Sequence, residues 1–423
     1  MKRFMNTHYD TLETRSPALR EAQLMAALPL QLAHAAQHAS AFAELLQGHD
    51  LGAVKTRTAL AALPVTRKSE LLARQKEKRS IDVFGGYATV GWGANQARRA
   101  HRVYASPGTI FEPETHRPDY WRMARAIYAA GFREGDLAHN CFSYHFTPAG
   151  LMMETGAHAV GCTVFPGGVG QTEQQVQAMV DLKPAGYLGT PSFLKLILEK
   201  AAEMGVALPS LTKASVGGEA FPPSLRDWFS QRGVSAYQSY GTADLGLIAY
   251  ETPAREGLVL DEGVIVEIVR PGTGDVVPDG EVGEVVVTTL NPDYPLIRFG
   301  TGDLSAVMAG SCPTGRSNAR IKGWMGRADQ TAKVRGMFVH PSQVAQVVSR
   351  FPEVKKARLV VSGEMANDSM ALHVEVSGQP DGLAAQLATS IRDITKLRGD
   401  VHLCAVGSLP NDGKVIEDAR LYA

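Results

Sequence analysis

Residues 213–246 read KASVGGEAFPPSLRDWFSQRGVSAYQSYGTADLG. A short apolar run, 213–216, ends in a turn carrying Gly217 and Gly218, and an amphipathic run, 224–232, follows. A second short run, 234–238, then ends in SYGTADLG. Strand, helix and strand in that order predict two parallel strands joined by a crossover helix. The alternation extends toward the N terminus, where strand-like runs at 137–142, 162–165 and 186–188 interleave with helical runs at 119–130, 150–160, 172–181 and 193–204. The expectation is an α/β fold whose parallel sheet is covered by helices and binds ligands at the carboxyl ends of its strands.

Beyond Gly246 the pattern becomes strand-like only, at 264–269, 284–289 and 303–308, divided by turns such as PGTGD and PDGEVG. Antiparallel strands follow, in a small β-barrel-like subdomain or a sheet packed beside the first. After Gly326 come a helix at 342–350, strands at 357–361 and 370–376, a helix at 382–396 and a strand at 401–405, a compact α+β unit. The expected domains are therefore a large N-terminal one, 1–327, and a small, mobile C-terminal one, 328–423. Near the start, 17–46 is helical in spacing but broken at Pro29, predicting two helices, and 67–75 predicts another. These read as packing elements.

Composition narrows the function. With 43 basic and 43 acidic residues the formal charge is zero, so no global field attracts nucleic acid or an anionic membrane. No apolar run reaches the roughly 18 to 20 residues that span a bilayer. The opening MKRFMNTHYD lacks the apolar centre of a signal peptide, so a cytoplasmic location is expected. Cys141, Cys162, Cys312 and Cys404 are scattered, the pattern of free thiols and not of a disulfide frame or a complete zinc site.

Four stretches hold more polar and special-geometry residues than packing needs. RVYASPGTIFEP, 102–113, sets Ser106, Gly108 and Thr109 between a β-prone lead-in and the helical run at 119–130. Such a loop can present backbone N–H groups to a phosphate, although an ordinary strand-to-helix turn reads equally well. SVGGEAFPP and SYGTADLG begin where predicted strands end, so Glu219, Tyr240, Thr242 and Asp244 are candidates to share one crevice, unless their glycines only make turns. In PLIRFGTGDL, 295–304, Asp303 is placed either to accept two ribose hydroxyls or to cap a turn. GWMGRADQTAKVRGMFVHP, 323–341, crowds charges at the compositional boundary, as a hinge or a solvated linker would.

Together with CTVFPGGVGQTEQQV (162–176), GTPSFL (189–194) and GRADQTAKVRGMFVHPSQV (326–344), these stretches closely resemble the adenylate-forming acyl-CoA ligases, in particular their phenylacetate-CoA ligase branch. The resemblance covers nearly the whole chain. It implies a two-step reaction: a carboxylic acid attacks the α-phosphate of ATP, with Mg bound, and the thiol of coenzyme A then displaces AMP. It implies Ser106, Gly108 and Thr109 at the phosphates and Gly218, Glu219, Ala220, Tyr240, Gly241 and Thr242 around the nucleotide. By the same matching Asp303 and Arg327 hold the ribose, Asp244 holds Mg, Lys414 is the catalytic lysine and Asp329 is the hinge. Lys333, Arg335 and Gly336 fall on the face presented to thioester formation. Gly217 and the aromatics Phe142, Tyr144 and Phe146 of FSYHFTP match the acyl pocket, although the aromatics suit a core as well. The implied partners are a small-molecule carboxylic acid and coenzyme A, with neither nucleic acid nor membrane; a homodimer is compatible.

Two departures stand out. The family's phosphate loop runs approximately SSGTTGKP, whereas this chain has SPGTIFEP at 106–113, with Phe111 in place of glycine and Glu112 in place of lysine. The exchange of charge disfavours ATP and leaves a second expectation, a descendant that binds or transfers an acyl-CoA or acyl-adenylate without adenylating. Where some members of the branch hold zinc, Cys312 remains but Thr252, Thr314 and Asn318 stand at the other positions, so no zinc is expected.

Overall fold

The computed structural model describes residues 7–92, 98–106, 109–328, 330–364, 367–378, 380–410 and 414–420. Gly108 and Asp329, both singled out above, lie outside the described residues. The chain divides into two compact units, Met1–Met325 and Gly326–Ala423.

In the first unit the predicted alternation builds a nine-stranded sheet. Its parallel part runs Ser235–Thr242, Lys213–Gly217, Gly186–Gly189, Leu137–Asn140 and Thr163–Phe165. Helices Ala149–Val160, Thr172–Leu182, Pro191–Glu203 and Pro223–Ser230 make the crossovers. Gly246–Glu251 then pairs antiparallel with Ser235–Thr242 and extends the sheet through Leu258–Leu260, Arg320–Ile321 and Val307–Met308. Of the two arrangements the later strands allowed, the structure shows an open sheet. It runs in the order Thr66–Arg67, Phe299–Ser305, Gly283–Thr289 and Val264–Val269. Gly283–Thr289 and Val264–Val269 are buried along their whole lengths, so both faces are covered.

Two local expectations need correction. Pro29 does not divide the first helix, which runs Pro17–His38 unbroken. Its buried face of Leu24, Met25, Leu28, Leu32 and Ala35 offsets the roughly 3 kcal/mol that an internal proline costs. The break comes at Ala39, whose backbone is extended. The helix expected at 119–130 is only Ala124–Ala129, because Asp119 and Arg122 take positive φ and Asp119 instead accepts a hydrogen bond from the Ala124 N–H. Burial pushes that carboxyl up to about 7.

A buried ion pair ties the second sheet to the N-terminal helices. The Arg298 guanidinium donates to Glu267 at 3.0 Å and to the carbonyls of Ala61, Leu63 and Gly274, and the two charged side chains are only 2% and 3% exposed. Arg298→Ala leaves Glu267 buried without its cation, which should destabilise the first unit by about 3–5 kcal/mol. The denaturant midpoint checks this, and an unchanged midpoint contradicts it.

The second unit has a four-stranded sheet in the order Asp400–Cys404, Asn367–Val376, Val354–Glu364 and Ile416–Asp418. Helices Pro341–Val348 and Leu383–Thr395 pack through Val344, Val347, Leu387 and Ile391 into a core with Leu359, Leu372 and Val374. A hairpin of Ala332–Val334 and Met337–Val339 precedes it, turning at Arg335 (φ 48°) and Gly336 (φ 82°). Two successive positive φ values define the turn type that matches strand twist, and glycine supplies the second at no steric cost.

Candidate functional site

The stretch at 102–113 is a hairpin and not a strand running into a helix. Arg102–Ser106 pairs antiparallel with Ile110–Glu114, with Ser106 opposite Ile110 and Tyr104 opposite Glu112. Because side chains alternate across a strand, Tyr104, Ser106, Ile110, Glu112 and Glu114 share the buried face. Glu112 is fully buried and accepts hydrogen bonds from the Ser106 hydroxyl and, at 3.3 Å, from the Ser106 N–H. The carboxylate thus takes for itself donors that the loop was expected to offer a phosphate. Phe111 faces the other way, beneath the Arg79 guanidinium, and its backbone N–H and carbonyl are both bound by the Gln75 amide. Thr109 sits at the hairpin turn with φ 63°.

Beside Glu112 lies Asp244. Its Oδ2 accepts from Lys68 Nζ at 2.7 Å, and its Oδ1 is buried with no hydrogen-bond partner among the described residues. Burial and the neighbouring Asp244 push the Glu112 carboxyl well above the usual carboxylate range, while Ser106 and Lys68 pull it back. Lys68 opens the helix Lys68–Lys78, a segment with no chemical spacing in sequence, and it meets Asp244 across 176 residues of chain. Gln75 and Arg79 come from the same helix and the residue that follows it. Only a contact of that range reveals them.

Asp303 and Tyr240 do come together. The Tyr240 hydroxyl donates to Asp303 Oδ2 at 3.0 Å, and Trp324 Nε1, which no sequence motif marks, donates to Oδ1 at 3.1 Å. A carboxylate fixed at both oxygens, 9% exposed, is a rigid acceptor for neighbouring hydroxyls. Glu219 turns instead toward the helix Pro191–Glu203, where its carboxylate accepts from the Ser192 N–H at 2.7 Å. The positive end of that helix favours the charge.

Around the predicted acyl pocket, Phe142 lies beside Gly218, whose φ is 78°. A Cβ at Gly217 would fall 2.7 Å from the Ser239 carbonyl oxygen, and one at Gly241 would fall 2.5 Å from the carbonyl oxygen of Gly246. Strand backbone cannot yield to either. Gly217→Ala should therefore destabilise the first unit by about 1–3 kcal/mol, read as a lowered melting temperature; a variant that melts with the parent contradicts this. Tyr144 is held by its hydroxyl, which donates to Glu154 at 2.8 Å and accepts from Asn140 at 2.7 Å. Phe146 does not enclose anything here: its side chain is 81% exposed, while its carbonyl accepts from the Ala105 N–H of the hairpin. Ala220 and Thr242 are half-buried, and the Thr242 hydroxyl accepts from the Leu245 N–H.

Cys312 keeps company with the residues named beside it. Its sulfur lies 3.5 Å from the Thr252 hydroxyl and 3.1 Å from that of Thr314, while Asn318 donates to the Leu260 carbonyl. One thiol and two hydroxyls form a hydrogen-bonded cluster there. Among the described residues no group of three or more His, Cys, Asp or Glu side chains is placed to hold a metal.

In the second unit, Arg335 donates from its backbone N–H to Asp368 Oδ2 and from Nε to the Asp368 carbonyl, both at 3.0 Å. Arg327 and Lys333 lie on the Phe338 ring, 5.8 and 5.9 Å from its centroid. Lys414 is exposed and stands two residues before Ile416–Asp418, and the intervening Val415 N–H is held by the Gln330 amide oxygen at 2.8 Å.

The fold is shared with a 2-hydroxyisobutyryl-CoA ligase solved in complex with 2-HIB-AMP and CoA, which matches with a TM-score of 0.82 at 23% identity, covering 100% of this chain and 94% of that one. Residues 115–291 match the AMP-binding enzyme family. The sequence relatives are narrower in name. The phenylacetate-coenzyme A ligase of Aromatoleum evansii is 31% identical over 83% of this chain and 82% of its own length. That of Thermus thermophilus is 32% identical over 75% and 72%, and that of Escherichia coli is 28% identical over 97% and 96%. The chain belongs to the phenylacetate-coenzyme A ligase family of AMP-binding enzymes.

Proposed function

We propose that this protein activates an aromatic or related organic acid as its acyl-adenylate, at the expense of ATP, and passes the acyl group to the thiol of coenzyme A. The observation that carries the reading is the 31% identity to a phenylacetate-coenzyme A ligase over more than four fifths of both chains. The geometry agrees with it. Tyr240 and the fixed Asp303 carboxylate offer an aromatic face and a hydroxyl acceptor side by side, as a nucleoside requires. The unpartnered Asp244 Oδ1 suits one ligand position of Mg, which when bound offsets phosphate charge. Lys68 at Asp244 supplies a cation close to position 112, where the hairpin carries a carboxylate.

The acid oxygen attacks the α-phosphorus, pyrophosphate leaves, and the thiolate sulfur later attacks the acyl carbon as AMP departs. Both reactants of the first step are anions, so Lys414 has the task of drawing them together as charge builds in the transition state. Phe142 beside Gly218 provides an apolar wall for an aryl acid. Exchange of labelled pyrophosphate into ATP, run over a panel of aryl and short-chain acids, tests the reading. Acid-dependent exchange is expected, and silence with every acid overturns it.

The Ser106–Glu112 contact favours a second reading, in which the loop is closed to ATP and the protein binds an acyl-adenylate or acyl-CoA formed elsewhere. That reading expects AMP or acyl-CoA to bind while ATP does not, and ATP-driven thioester formation eliminates it.

A further inference from the structure

A cleft of about 280 Å³ in the first unit opens at the amino ends of the strands Lys213–Gly217 and Ser235–Thr242, whose carboxyl ends carry Gly217 and Tyr240 of the candidate site. A strand rises about 3.3 Å per residue, so the five residues from Ser235 to Tyr240 set the two places roughly 17 Å apart. No step above uses this cleft. Its walls are aromatic and basic, with Tyr128 and Tyr237 beside Ala129, Pro253, Arg133 and Lys213. The two cations differ in what they meet. Lys213 Nζ donates to Asp136 Oδ2 at 2.8 Å and to the Gly131 carbonyl at 3.1 Å, so its charge is matched. Arg133 makes no ion pair among the described residues: its guanidinium lies 3.6 Å from the Tyr128 ring centroid, and Nη1 donates to the Tyr128 and Phe132 carbonyls. Its Nε is buried with no hydrogen-bond partner among the described residues. The half-buried Tyr237 ring has the Arg255 guanidinium 5.3 Å from its centroid, which adds positive charge nearby.

An unmatched guanidinium calls for an anion, and its planar fork suits a carboxylate. Two tyrosine rings call for a flat apolar body. The volume stands just below the roughly 300 Å³ at which pockets for drug-sized ligands begin, so the ligand is small. A nucleotide would bring several phosphate charges, and the one other lining cation, Lys213, is already held by Asp136. We propose that this cleft binds a small aromatic monocarboxylate, its carboxylate on Arg133 and its ring against Tyr128 and Tyr237, as a second site separate from the acyl pocket. The cleft alone carries the ligand class; the ligase reading adds that an acid of the same class is consumed at the far ends of the two strands. No bond is made or broken in the cleft; its part is recognition.

The test is photolabelling of the full chain with 4-(trifluoromethyldiazirinyl)benzoate, located by mass spectrometry of its peptides, with the matching carboxamide as the uncharged control. Label should appear in the peptides that carry 128–133 and 235–237 and should fall when excess phenylacetate competes. The carboxamide should label them about 10- to 100-fold less, the range expected for hydrogen bonds to a charged group. Arg133→Gln should lower label in both peptides by about tenfold or more and leave any label at 142–146, in the acyl pocket, as it is in the parent. Should Arg133→Gln fail to fold by circular dichroism, Tyr237→Ala, which keeps the cation and removes one ring, should lower label at 128–133 by about 3- to 10-fold. Label confined to 142–146 overturns the proposal, as does label that phenylacetate does not displace. So does equal label from the carboxamide, or an unchanged level in whichever variant folds. Pyrophosphate exchange does not involve the cleft, so its silence counts against the ligase reading alone and leaves the labelling to decide this site.

Discussion

Lys414→Ala should lower acyl-adenylate formation by about 10²–10³-fold, the effect of deleting one preorganised group that meets transition-state charge, while nucleotide binding changes little. The reason lies in when the group acts. An exposed lysine just before a short strand of the small unit contributes little to the core, so its removal leaves the fold intact. In the proposed mechanism its ammonium would act once the acid oxygen and the α-phosphate approach and negative charge concentrates between them. The rate of pyrophosphate exchange should therefore fall with little change in the concentration of ATP that half-saturates it. A Lys414→Ala protein that exchanges at the parent rate would remove the residue from the mechanism.

Glu112→Gln should tighten ATP by about 10- to 100-fold at the alkaline end of the working range and by little at the acid end. A unit charge about 5 Å from a phosphate is worth roughly 3 kcal/mol at an effective dielectric near 20, before screening reduces it. Glutamine keeps an acceptor for Ser106 and discards the charge. The pH sign follows from burial, which raises the carboxyl above its ordinary value. Below that raised value the proton stays on and Glu112 is neutral; above it the carboxylate appears beside the proposed phosphate site and would repel ATP. ATP affinity of the parent should thus fall with rising pH relative to Glu112→Gln, as calorimetry at several pH values can show. Two parallel profiles would mean that Glu112 does not face the nucleotide. Restoring the family's residues with Phe111→Gly and Glu112→Lys would instead bury a lysine at 112 near Lys68, where it meets a like charge.

The large-scale fold was legible because its signals are local. Strand and helix alternate from 137 to 242 with turns at each strand end, and the parallel order of those strands is what such crossovers enforce. Tyr240 and Asp303 were readable as candidates for the same reason, since each stands in a turn-rich stretch at or near a strand, and the structure brings the two into contact. The hairpin was not legible. Pro107 and Gly108 suggest a loop, and only the pairing of Tyr104 with Glu112 shows that period-two alternation turns Glu112 inward onto Ser106. Lys68 and Trp324 escaped because their partners, Asp244 and Asp303, are reached through tertiary packing and not through spacing. Pro29 misled because its local penalty is smaller than the burial of the leucines around it.

The central claim is that a carboxylate oxygen of the substrate becomes bonded to the α-phosphorus of ATP. Turnover with an aryl acid bearing ¹⁸O in its carboxylate, in the presence of ATP and coenzyme A, tests this directly by mass spectrometry of the nucleotide product. AMP carrying one labelled oxygen alongside the aryl thioester is expected; unlabelled AMP, or label found in inorganic phosphate, would contradict this chemistry.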